Sequence, residues 1–215
     1  MNNRLEARGL RLEITPSPKS PCLMRRISLA SLSLVVLIAA CKAQDASPPV
    51  DTGSSGTSAG SVATDLLADL STVETKIVDL ATAIPENKYN WQPDSARSVR
   101  RVFLHVAADN YLMPAMLGFT PDAATGITTD YATSSAFEAR NLPKDSVVAE
   151  LRKSFAFVKQ SLQGATAASM SAPVTMFGQP FTGQSAWILA VTHLHEHLGQ
   201  LIAYARTNGV KPPWS

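Results

Sequence analysis

Apolar positions along the chain form four stretches with a helical period and one stretch with none. Between residues 66 and 84 they recur at Leu66, Leu70, Val73, Ile77, Leu80 and Ile84. That i, i+4, i+7 spacing lays one stripe of a helix against a core, and Pro85 closes the segment because its ring cannot continue the backbone ladder. A second stripe, Val99, Val102, Phe103, Val106, Met113 and Leu117, predicts a helix with Ser95 as N-cap and a stop at Gly118. A third helix is predicted from Lys144 to Gln163, carrying Val148, Leu151, Phe155, Val158 and Leu162 on one face. The fourth, about Ser185 to Thr207, ends at Asn208-Gly209 with Pro212-Pro213 beyond. Residues 118–142 hold Gly, Pro, Thr, Ser and Asp with no period and read as a crossover. Val174 to Thr182 alternates around Gly178-Gln179, the pattern of a small β-hairpin between the third and fourth helices. The predicted fold class is all-α, a four-helix bundle with one long crossover connection from helix 2 to helix 3.

The aperiodic apolar stretch is Ile27 to Ile38. It follows Met24-Arg25-Arg26 and leads into Ile38-Ala39-Ala40-Cys41, so a basic segment, a short apolar segment and small residues before a cleavage point make a secretory signal. It is too short to span a bilayer comfortably. A cysteine directly after two small residues resembles a bacterial lipobox, which makes Cys41 the expected lipidation site. Residues 1–23 are polar and precede a complete signal, which points to Met24 as the true start. Residues 42–61 are rich in Ser, Gly, Pro and Thr and read as a flexible linker. The expected organisation is therefore an extension and signal over 1–41, a linker over 42–61, and one folded domain over 62–215. The expected location is the cell envelope, with the domain lipid-anchored on the periplasmic or extracellular side.

Composition narrows the function. Hydrophobic residues make up 45% and charged residues 17% of the chain, a globular balance. Of 19 basic and 17 acidic side chains, six and two fall in the first 41 residues, so the body is slightly acidic. Without a basic cluster it has no footprint for nucleic acid. Cys22 and Cys41 are the only cysteines, so metal chemistry in the body must use histidines and carboxylates.

There are four histidines: His105 on the second predicted helix, and His193, His195 and His197 on the fourth. At ~100° per residue, His193 and His197 stack one turn apart beside Leu194, Leu198 and Leu201, and face the interior. His195 points the opposite way. His105 borders the apolar arc of its own helix, and Asp109 lies one turn further on the same face. Two imidazoles at i, i+4 and a third from a facing helix can meet one divalent ion and leave a position open. Asp109 is a fourth ligand, orients an imidazole, or is a solvated or capping carboxylate, and Tyr204 repeats the face of His193 and His197; these two are the candidates for handling a proton. Tyr89, Trp91, Trp187, Tyr204 and Trp214 either line the pocket mouth or pack the bundle ends.

The segments Trp91-Gln-Pro, Arg97-Ser-Val, His105-Val-Ala and Asn110-Tyr-Leu, with the closing stretch His193-Leu-His-Glu-His197-Leu-Gly-Gln200, resemble the DinB/YfiT-like superfamily over about residues 64 to 215. The resemblance implies a four-helix bundle with a histidine triad, here His105, His193 and His197, on one divalent metal ion, zinc or nickel. It also implies that Gly199 packs closely and Gln200 supports the ligands. Leu198 stands where an Arg is frequent. Members that use a thiol such as mycothiol or bacillithiol suggest a metal-dependent hydrolase or thiol-transferase-like enzyme acting on a small molecule. A second reading is a non-catalytic, metal-stabilised binding module at the membrane. A second copy of the chain stays among the open partners.

Overall fold

The structure is a computed structural model that describes residues 59–215. The signal segment, Cys41 and most of the linker lie outside the described residues. The described chain runs through α1 (Ala59–Ala83), α2 (Val99–Met116), α3 (Tyr131–Glu138), α4 (Lys144–Gln163), α5 (Ala167–Ser171), β1 (Pro173–Met176), β2 (Gln179–Thr182) and α6 (Gly183–Thr207). It is mostly helical, with six helices and one small antiparallel sheet. None of these helices is long and apolar enough to cross a membrane.

The stripes predicted from sequence face the core. Leu70, Val73, Ile77 and Leu80 of α1 and Ile84 just after it are fully buried, as are Leu151, Phe155 and Leu162 of α4. Helix α1 contacts α4 and α6, and α2 contacts α3, α4 and α6. Helix α2 is enclosed on every side, being buried without interruption from Val102 to Ala115. Its polar residues His105, Asp109 and Asn110 are therefore interior groups that must find partners.

Three features differ from the sequence reading. The N-cap of α2 is Ser98, whose hydroxyl accepts from the Arg101 amide at 3.3 Å, while Ser95 follows a tight turn at Asp94 with φ of 42°. Residues 118–142, read as an unstructured crossover, contain α3 and a single 3-10 turn at Ala123–Thr125. Helix α3 spans only eight residues, too few to print a period, and Phe137 is its one large buried apolar side chain. Asp130 caps it, accepting from the Ala132 amide at 2.9 Å. The hairpin exists, but its two-residue turn is Phe177-Gly178 rather than Gly178-Gln179, since Met176 pairs with Gln179. Both turn residues have positive φ, 52° and 73°, the type I′ geometry that suits a twisted hairpin. For a phenylalanine that left-handed backbone costs about 1–2 kcal/mol.

The hairpin leads straight into α6 through a capping box, in which Thr182 accepts from the Ser185 amide and Ser185 accepts from the Thr182 amide. Gly183 opens the helix. A Cβ there would lie 2.0 Å from the Ser169 carbonyl oxygen, so only glycine lets α5 sit against the start of α6.

Candidate metal centre

Helix α2 presents His105 and Asp109 one turn apart, and α6 presents His193 and His197 one turn apart. The two pairs face each other across the α2–α6 seam. One ligand atom from each of the four residues lies within 4.8 Å of every other. His193 Nε2 is 3.0 Å from His197 Nε2, 3.4 Å from His105 Nε2 and 3.0 Å from Asp109 Oδ2. His105 Nε2 stands 3.2 Å from Asp109 Oδ2. Two nitrogens held 2.0–2.1 Å from one tetrahedral ion are about 3.3 Å apart, so these spacings suit a shared ion. The chemistry of the donor set agrees, because three imidazoles and a carboxylate can hold a divalent cation.

The far side of each ring supports that arrangement. His197 Nδ1 lies 3.0 Å from Gln200 Oε1, and Gln200 Nε2 donates onward to the Tyr204 hydroxyl at 2.8 Å. An Nδ1–H donated to Gln200 leaves the Nε2 lone pair turned to the centre. His193 Nδ1 is 3.4 Å from Glu196 Oε2. His105 Nδ1 is 3.2 Å from Glu138 Oε2, within ion-pair reach although off the angle of a hydrogen bond. All three rings thus face an oxygen with Nδ1 and the cluster with Nε2.

Electrostatics separate the groups. The hydrogen bond to Asp109 raises the pKa of His193 above its ordinary value. Burial lowers that of His197 to about 4, so this ring is neutral and able to coordinate at physiological pH. Glu138 is 3% exposed. Burial alone would push its carboxyl up, but His105 and Arg97 hold it down at about 2. Arg97 Nε and Arg101 Nη2 both lie 2.8 Å from Glu138 Oε1. Through buried Glu138, these two partly exposed arginines tie α3 to the start of α2 directly behind His105.

The remaining expected residues are placed as follows. His195 is outside the cluster, with Nε2 2.9 Å from Asp69 Oδ2 of α1. Tyr204 reaches the cluster only through Gln200, and its ring sits edge-on to Trp91 at 5.1 Å. Gly199 is not a close-packing position: it is exposed, and a Cβ there would meet nothing within 4 Å. Tyr89 and Trp187 are core residues, and Trp214 lies over Ser71 and Thr75 of α1. The cavity beside the cluster, about 380 Å³, takes its aromatics from Tyr131 and Phe177 instead. Those two and Glu138 were not anticipated; the one local sequence signal near them is the capping residue Asp130 before α3.

The family model of the DinB superfamily matches residues 69–201, and the chain belongs to that superfamily. A solved DinB-like protein from Bacillus cereus ATCC 10987 superposes with a TM-score of 0.58 at 14% identity, covering 69% of this chain and 93% of that one. At that identity the likeness is one of fold. No curated protein matches the chain in sequence.

Proposed function

We propose that the protein is a divalent-metal protein of the cell envelope, with His105, His193 and His197 as ligands and zinc or nickel as the ion. The convergence of three Nε2 atoms and one carboxylate oxygen within 4.8 Å carries this reading. The four long helices form the bundle that holds the site, with the 118–142 connection as its crossover. Glu138 and Gln200 orient His105 and His197 from behind, and Asp109 holds His193. A bound ion would supply Lewis acidity near neutral pH. Asp109 is the proton acceptor closest to that point, while the Tyr204 hydroxyl is one residue removed. The cavity leaves room for a small molecule, which favours a metal-dependent hydrolase or thiol-transferase-like activity. One observation favours the alternative of a metal-stabilised binding module: with Asp109 as fourth ligand the tetrahedron is complete, as in structural sites.

The deciding experiment is metal analysis of the purified protein together with the coordination number at the ion. One equivalent with a position open to water supports the enzyme; one equivalent in a closed four-ligand shell supports the binding module; a protein that takes up no divalent metal refutes both. The lipid anchor is tested separately. Cys41→Ser should abolish lipid labelling and release the domain from membranes, and unchanged retention would overturn the anchor.

A further inference from the structure

Phe177 is unfavourable twice over. Its backbone adopts a φ of 52°, which a type I′ turn normally assigns to Asn, Asp or Gly, and the residue is 46% exposed. Strain and exposed apolar surface at one residue call for a function, because neither stabilises the fold. Tyr131, at the start of α3, is 50% exposed, and the two rings meet edge to face with centroids 6.5 Å apart. They come from different elements and stand at the cavity that also exposes His105, Asp109 and His193. Met113 and Leu189 supply apolar wall. Arg97 lines the same cavity: Glu138 fixes its Nε, while its two terminal nitrogens have no partner among the described residues. Glu138 is shared with Arg101, and Asp109 is the second carboxylate at this cavity, so the fork of Arg97 rather than a net charge is what the site offers.

We propose that this cavity binds a small carboxylate with a planar apolar body. The terminal nitrogens of Arg97 take the carboxylate, and Phe177 and Tyr131 hold the planar part. A fixed guanidinium fork suits a carboxylate in both geometry and charge, the rings offer faces and edges to a planar group, and the volume fits a small molecule. The inference deepens the metal-site reading and depends on it only for the position of the ion.

The test is calorimetric titration of the whole chain with benzoate, benzyl alcohol and acetate, zinc-loaded and zinc-free. Benzoate should bind about tenfold or more tighter than either partial analogue. Arg97→Gln should remove the preference for benzoate over benzyl alcohol. Phe177→Gly should weaken benzoate several-fold while raising the melting temperature, since glycine accepts the turn without strain. That opposite movement separates a ligand-holding ring from a structural one, and this variant keeps its fold if Arg97→Gln does not. Equal binding of benzoate and benzyl alcohol, or wild-type benzoate affinity in Phe177→Gly, would overturn the proposal. So would benzoate binding that needs zinc and ignores Arg97, which is ligation of the ion alone. A chain that takes no zinc defeats the metal reading, yet the zinc-free titration still decides this one.

Discussion

Helix α2 carries two buried polar groups on different seams, and they solve the same problem in opposite ways. Towards α4, the Asn110 amide donates to the Ser154 hydroxyl at 3.1 Å, which donates to the Leu151 carbonyl at 2.8 Å. Every step pairs a donor with an acceptor, so the network closes within the protein. Towards α6, His105, Asp109, His193 and His197 bring three ring nitrogens and a carboxylate oxygen to one point. A neutral imidazole has one N–H, and where Nδ1 carries it the Nε2 atoms are acceptors facing acceptors. The first seam is complete with protons alone. The second becomes complete with a cation. Buried polarity therefore indicates structure or function according to whether its donors and acceptors balance.

The comparison breaks most sharply at the histidines. Alanine at His105, His193 or His197 should each remove the metal, and with it the part of the melting temperature that a chelator removes from the wild type. A double variant should lose no more than a single one, since the ligands act as a unit. Inductively coupled plasma analysis and thermal melts with and without EDTA check this, and a wild-type melt unmoved by EDTA, zinc or nickel would refute it. Glu138→Gln comes next. It keeps the shape but drops the charge behind His105, and zinc affinity by competition titration should fall about 10–100-fold. Ser154→Ala sharpens the other side. Leaving the Asn110 amide unpaired should cost about 1–3 kcal/mol in urea unfolding, with metal content unchanged.

The influence of pH is smaller and has a definite sign. Asp109 raises the His193 pKa, so their pairing stabilises the metal-free fold fully below the ordinary value of 6.5 and is lost as pH rises through the raised value. The metal-bound form needs the neutral ring, so its affinity rises over that interval. The gap in melting temperature between metal-loaded and metal-free protein should widen upward from about pH 6.5; a gap that is flat or narrows contradicts the assignment of His193. The smallest effect belongs to His195→Ala, which should leave metal content at the wild-type level. Loss of a full equivalent there would mean that His195 reaches the ion.

Helix α4 was legible in its bounds and most of its stripe, because twenty residues with a regular apolar period leave little freedom in phase, although Val147 rather than Val148 is the fully buried valine. The same arithmetic of 100° per residue put His193 and His197 together and His195 opposite. The rest of the site was hidden by length. Helix α3 gives two turns, too little for periodicity, so Glu138 looked like any surface acid in a polar stretch although it is buried behind His105. Tyr131 and Phe177 belong to short elements whose positions are set by what they pack against. Ser95 and Ser98 are both competent caps by composition; the Val99 and Arg100 amides bond to the Trp91 and Tyr89 carbonyls of the preceding loop, contacts invisible in sequence, and the helix starts after Ser98.

The facing halves of the metal centre are far apart in time as well as in sequence. His105 and His193 are 88 residues apart, so at ordinary synthesis rates the second pair follows the first by roughly 4–18 s. During that interval α2 has no docked partner on its polar face, and a chain halted before α6 has half a site. The full four-residue site exists only once the final helix has docked. If the chain is exported before it folds, docking would happen outside the cytoplasm, and the metal supply there would determine which ion the protein carries.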